Sequence, residues 1–250
     1  MHVGEDLQIW AFLGLVALFE ILERVRPARE VDRWKDLKID LLSFAVAVSF
    51  NLLCKAILGA TFVSALPAWL AGSVTTLQSL PTWARITLAI LAVDFFIYWI
   101  HRGQHRFDTL WRTHAWHHSI EELYWFSGFR TSFFHSFLYA IPSSSVSILL
   151  FNLTPLEAGI GYSIGLVVQF WEHTNLRVDI GPLKWIIITP DYHRVHHTTD
   201  FNRTNFGTTF SFWDRMFGTY KDPETVPQDA LLGTREPLDE KRVARMLIGV

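Results

Sequence analysis

Residues 83–106 read WARITLAILAVDFFIYWIHRGQHR, an apolar run over 83–100 that ends in two histidines four residues apart. A run close to the roughly 20 residues needed to cross a hydrocarbon layer predicts a membrane helix. The helical period then puts His101 and His105 on one face of its end. Asp94 and Tyr98 precede His101 by seven and three residues and share that face. An aspartate in a membrane helix is costly and marks a functional position. Asp94 is therefore expected to orient a ligating imidazole through its free N–H.

Working outward, further apolar runs lie at about 7–22, 39–60, 137–151 and 156–172. The fold class that follows is all-α: an integral membrane bundle of four to five transmembrane helices with a cytoplasmic helical cap rich in histidine. Arg24, Arg26, Arg29, Arg33, Lys35 and Lys38 follow the first run, and the positive-inside bias places them in the cytoplasm. The amino terminus carries Glu5 and Asp6 and lacks the basic region and cleavage site of a secretory signal, so the first run is expected to be a retained anchor. The stretch from Leu66 to Trp83 has no charged residue and suits an external or interfacial loop. Alternating crossings then bring His101 and everything from Glu172 onward to the cytoplasmic face. Asn152-Leu153-Thr154-Pro155 joins the last two runs as a helical hairpin. Residues 1–250 are expected to form one domain, with core motifs over 94–221 and a cytoplasmic tail over 222–250 that closes on a short helix near Glu240 to Leu247. A soluble helical core is the alternative, but so many apolar runs in 250 residues exceed what one such core needs.

Half of the chain is hydrophobic and 18% is charged, against roughly 25% in soluble domains. A net charge of −2 supplies no basic field for a nucleic-acid partner. The single cysteine, Cys54, excludes an internal disulfide and any cysteine-based metal framework. Histidine remains. There are 11, and all but His2 lie between His101 and His197.

Three clusters stand out: His101 and His105; His114, His117 and His118; and His193, His196 and His197. Positions i, i+3 and i+4 of a helix share a face, so each cluster is expected to aim its imidazoles at a common point. Neutral imidazole suits iron, zinc, copper or nickel. Thr189-Pro190 predicts an N-cap and first helical residue for the third cluster, and Asp108 or Thr109 a cap for the second. His173, in Gln169-Phe170-Trp171-Glu172-His173-Thr174-Asn175, falls where the last run meets the cytoplasm. With it nine imidazoles cluster, which fits two metal ions better than one. His2 and His135 stand alone and read as ordinary histidines. No H-E-x-x-H and no Ser or Cys nucleophile motif is present. Gly159, Gly161 and Gly165 lack the spacing of a dinucleotide loop, and the last two read as a small-residue packing face.

These residues resemble the fatty acid hydroxylase/sterol desaturase superfamily of membrane histidine-box di-iron oxygenases. The likeness is carried by the segment Asp94 to His105, by Leu110-Trp-Arg-Thr-His114-Ala-Trp-His117-His118-Ser119, by Thr189-Pro-Asp-Tyr-His193-Arg-Val-His196-His197, and by a closing Phe212-Trp213-Asp214-Arg-Met-Phe217-Gly218-Thr219. The resemblance implies that the eight box histidines, with His173, ligate two iron ions, and Asp94, Tyr98 and Asn175 are carried as candidate catalytic residues. Where many members have Arg-x-His-Pro, this chain has Arg130-Thr131-Ser132-Phe133. That variant, with Gly181-Pro182-Leu183, is similar to the alkylglycerol monooxygenase-like branch, whose members cleave ether lipids with a reduced pterin. The implied activity is oxidation by O2 of a C–H bond in a lipid, such as a fatty acyl, alkyl-ether, sterol or carotenoid chain. Electrons must come from a separate ferredoxin, cytochrome or reduced pterin, because the chain has no Rossmann, haem-attachment or iron–sulfur motif. Arg102, Arg106, Arg112 and Arg194 are candidates for docking the donor or for holding anionic headgroups. Two other classes remain open: a membrane metal-binding or transport protein, and a bis-histidine haem protein of electron transfer.

Overall fold

The computed structural model describes residues 3–62, 75–234 and 240–250. The helices are α1 (Val3–Val25), α2 (Leu37–Phe62), α3 (Thr82–Arg106), α4 (Asp108–His114), α5 (Phe133–Ser145), α6 (Pro155–His173), α7 (Pro190–His196), α8 (Phe212–Phe217) and α9 (Glu240–Ile248). Among the described residues three isolated bridges, Pro27 to Leu176, Ile187 to Phe210 and Thr198 to Leu232, take the place of strands. Four of the five apolar runs lie within a helix, and the run at 137–151 passes from α5 into a π-turn over Val146–Leu150. Among the described residues two helices are long and apolar enough to cross a membrane: α3, and α5 with its π-turn continuation through Leu150. Half of the expected external loop, residues 66–74, lies outside the described residues; the other half holds a helical turn over 75–78 and leads into α3.

Local chemistry explains the joints. The α5–α6 turn closes on a capping box, in which Thr154 accepts from the Glu157 amide and the Glu157 carboxylate accepts from the Thr154 amide, with Pro155 at the first helical position. Arg85, near the start of α3, donates to the carbonyls of Phe151 and Asn152 and pairs with Glu157 at 2.6 Å. Of the two glycines expected to form a packing face, Gly161 has a neighbour within 4 Å of a would-be Cβ, Ile90 at 3.8 Å, and Gly165 has none. The expected cap of α4 is absent: Phe107 occupies the N-cap with no side-chain hydrogen bond, and Asp108 sits in the first turn.

The helices are apolar outward. Trp10, Leu18 and Ile21 of α1, Leu41 and Val48 of α2, Phe96 and Trp99 of α3, and Ile160, Ile164 and Val167 of α6 are all exposed. Soluble monomers rarely show such continuous apolar faces. Inward, Phe50 packs on Phe133 and Phe19 on Phe170. Phe170 is fully buried, and its truncation to Ala is worth about 3–5 kcal/mol.

One end of the bundle is different, because its interior is polar. Glu23 at the end of α1 accepts from the amides of Trp125 and Asn175. Asp40 near the start of α2 pairs with the fully buried Arg130 at 2.6 Å. These ties bring the end of α1, the start of α2 and the end of α6 together at the histidine end. α9 closes that end: Met246 packs with Ala115 and Trp116. Gly249, at φ +93°, leaves no room for a Cβ against Ser132 Oγ and Thr113 Cα.

Candidate metal centre

His101 and His105 lie on the last turns of α3, whose buried face also carries Asp94, Tyr98 and Gln104. His114 ends α4, and the chain then tightens into a 3-10 turn over His117–Ser119. In the third cluster Thr189 caps α7 by accepting from the Tyr192 amide, with Pro190 at the first position, as its sequence predicts.

The nine histidines named from the sequence meet in two buried groups. One holds His101, His105, His114, His118 and His196; the other holds His117, His173, His193 and His197, and within each group the ligand atoms lie within 4.8 Å of one another. This corrects the expectation that each cluster points to one place. In the second and third clusters residues i and i+4 share a group, while i+3 serves the other one. Successive side chains on a helix diverge by about 100°. His196 and His197 therefore open onto different groups.

The hydrogen-bond partners of the rings show what the groups can accept. His101 Nδ1 lies 2.8 Å from the Phe206 carbonyl, His196 Nδ1 2.8 Å from that of Thr204, His117 Nδ1 3.2 Å from that of Arg130, and His173 Nδ1 2.9 Å from that of Gln169. A carbonyl only accepts, so each of these rings donates from Nδ1, and its Nε2 is a bare lone pair when the ring is neutral. Burial, reinforced by neighbouring histidines, pushes His117 and His196 well below the ordinary histidine range, as it does His114, His118, His193 and His197. Yet His117 Nε2 and His173 Nε2 face each other at 3.2 Å. Two lone pairs at that distance call for a cation beside them. Imidazole–metal bonds of about 2.0–2.1 Å put adjacent ligand atoms about 3 Å apart and opposed ones about 4.2 Å apart, so each group fits one ion.

The surroundings hold these rings. Asp214 accepts from the amides of Phe206 (2.8 Å) and Gly207 (2.7 Å), from Thr219 Oγ1 (2.6 Å) and from the Tyr192 hydroxyl. It thereby fixes the loop whose carbonyls orient His101 and His196. Asp94 has partners other than those expected: Thr208 Oγ1, the Thr209 and Phe210 amides, and the Trp213 indole. No histidine is among them, because the Phe206 carbonyl takes the His101 proton, and Asp94 anchors the next stretch of that loop. Tyr98 is bonded to Thr219 Oγ1 and Arg102. Asn175 clasps the backbone of Arg29 from both ends of its amide. Both residues brace the site from outside the histidine groups. Arg194 is buried against Asp191 and the Thr174 carbonyl, which removes it from the expected docking surface, whereas Arg106 and Arg112 are exposed.

Three features have no signal in histidine spacing. His135 is buried, with Nδ1 3.0 Å from His114 Nδ1 and its ring stacked on that of His114. Glu172 Oε2 lies 3.7 Å from His193 Nδ1, and both atoms lack a hydrogen bond, an arrangement suited to a carboxylate–histidine–metal relay. Gly128 backs His173: a Cβ there would stand 2.5 Å from Cγ of the ring. Two expected results follow. His135→Gln should weaken metal retention by roughly 10- to 100-fold, as loss of an outer hydrogen-bond partner does, with the number of ions bound at saturation unchanged in a chelator titration. Gly128→Ala should displace His173 and lower the affinity of the four-histidine group alone, read as one weakened and one intact ion in the same titration.

A family model described as fatty acid hydroxylase matches residues 86–219. An alkylglycerol monooxygenase of Xenopus tropicalis is 36% identical over 157 residues, 61% of this chain and 33% of that protein. An ornithine lipid hydroxylase of Rhizobium tropici is 27% identical over 228 residues, 85% of this chain and 66% of that protein. A very-long-chain aldehyde decarbonylase of Oryza sativa subsp. japonica is 27% identical over 197 residues, 68% of this chain and 30% of that protein. The chain thus spans about a third of the length of the alkylglycerol monooxygenase it matches. No solved structure matches it.

Proposed function

Because the chain belongs to the fatty acid hydroxylase family, we propose that it is a membrane-bound di-iron oxygenase that hydroxylates a C–H bond of a lipid. The observation that carries this reading is the facing pair of bare Nε2 atoms on His117 and His173, 3.2 Å apart within one of two closed sets of imidazoles. His101, His105, His114, His118 and His196 would hold one iron, and His117, His173, His193 and His197 the other. When bound, such a centre supplies the dioxygen chemistry that removes hydrogen from an unactivated C–H bond, which no side chain performs.

The chain's own part is to keep the rings neutral by burial, to fix their orientation through Nδ1–H bonds to carbonyls, and to exclude water. The outward apolar faces of α1, α2, α3 and α6 support four or five crossings and delivery of the substrate from the bilayer. Arg24 to Lys38 border α1 and α2 at the histidine end, and their positive charge supports placing that end in the cytoplasm. The substrate class is a lipid with a long apolar chain, an alkyl-ether or acyl chain being favoured by the names of the relatives. Electrons are to be supplied by a separate ferredoxin, cytochrome or reduced pterin.

The experiment compares lipid extracts from cells carrying the intact gene and a His117→Ala form by mass spectrometry. A lipid that gains one oxygen only with the intact gene is expected. Identical profiles across membrane lipids, sterols and carotenoids would overturn the proposal.

A further inference from the structure

We propose that the cleft between α4 and α9 binds the headgroup of an anionic membrane lipid. The cleft is open and broad, about 780 Å³, within the range of ligand-sized sites. Its floor includes Trp111, Met246 and Val250, its rim carries Arg112, Arg242 and Arg245, and no Asp or Glu side chain of a described residue lines it. Arg112 and Arg245 are exposed and form no ion pair with a described residue. Guanidinium forks over an apolar floor match a phosphate or carboxylate that continues into an aliphatic body.

The position of the rim is fixed. Met246 packs with Ala115 and Trp116, and Gly249 seats the last turn of the chain against Thr113 and Ser132. Exposed Phe107, Ile248 and Val250 lie on the same two elements and their flanks, so the basic side chains rise from a surface that also seeks hydrocarbon, as interfacial helices do. A free phosphate would use the rim alone; a lipid uses rim and floor. The occupant would also reach the metal centre through one side chain, since the Trp111 ring lies 5.0 Å from that of His105 and 5.2 Å from that of His118.

The test measures equilibrium binding of dioctanoyl phosphatidylglycerol, dioctanoyl phosphatidylcholine and inorganic phosphate to the metal-loaded full chain in a non-ionic detergent. The wild type should prefer the anionic lipid by roughly tenfold or more, at about 1 kcal/mol per basic residue near a surface. An Arg112→Gln/Arg245→Gln double variant should lose the preference while keeping its metal content. Equal binding of the two lipids by the wild type would overturn the proposal, and so would a preference retained by the metal-loaded double variant. Competition by inorganic phosphate as effective as that of the lipid would assign the rim to a free anion instead. The wild-type comparison decides the matter even where the double variant does not fold. Binding is read without turnover, so a failure of lipid oxidation leaves this result intact.

Discussion

Replacing His197 by alanine should strip one metal ion and leave the other, whereas replacing its neighbour His196 should weaken the opposite site. The two side chains are adjacent in sequence but belong to different groups. Loss of His197 reduces a four-histidine set to three. Loss of His196 reduces a five-histidine set to four, a milder change that also frees the Thr204 carbonyl. The His197→Ala ion should be lost at chelator concentrations at least about 100-fold lower than in the wild type, since removing even an outer partner of a ligand can cost that much. The His196→Ala effect should be smaller and confined to the other ion. Metal per chain, followed against chelator concentration, reads both. Simultaneous loss of both ions in each variant would mean that the division into two groups is wrong.

Asp214→Ala should be the most damaging change outside the histidines. Its carboxylate is buried and accepts from four donors, two of them backbone amides of the loop at Phe206 and Gly207. Each donor left buried and unsatisfied costs about 1–3 kcal/mol, so a total of about 4 kcal/mol or more is expected, a large share of the stability of most domains. The Phe206 and Thr204 carbonyls would then lose their positions, and with them the tautomers of His101 and His196. A steep fall in thermal stability should accompany weakened metal retention by the five-histidine group. Asp214→Asn should be less severe, since its one amide oxygen still accepts from one of the two loop amides, which in the wild type bond to different carboxylate oxygens. Wild-type stability in the alanine form would contradict this role.

Much of this arrangement was legible in the residues. The apolar runs mark the helices because a 3.6-residue period and 15 to 20 apolar positions leave few other options. Thr189-Pro190 marks the start of α7 because its cap chemistry is local. Eight histidines are identifiable by spacing and His173 by its position at the end of the last apolar run, but their division is not. Adjacent side chains diverge by about 100°, which parts His117 from His118 and His196 from His197, but which group each ring joins is set by how the distant elements pack together. Asp94 shows the limit of face arguments. It does lie on the buried face with His101, yet its partners come from residues 208–213, a stretch whose return to α3 no local pattern announces. The orienting groups of four histidines are backbone carbonyls, which have no signature in sequence at all. An isolated histidine such as His135 is ordinary by its sequence context, and only the packing of α5 against His114 reveals its place beside the site.

The most direct test of the central claim is the metal-to-chain ratio of protein purified without added metal, determined by elemental analysis. Two iron ions per chain are expected, falling to one in His197→Ala. A ratio of one or fewer in protein that oxidises lipid would contradict a two-ion centre built from two sets of histidines.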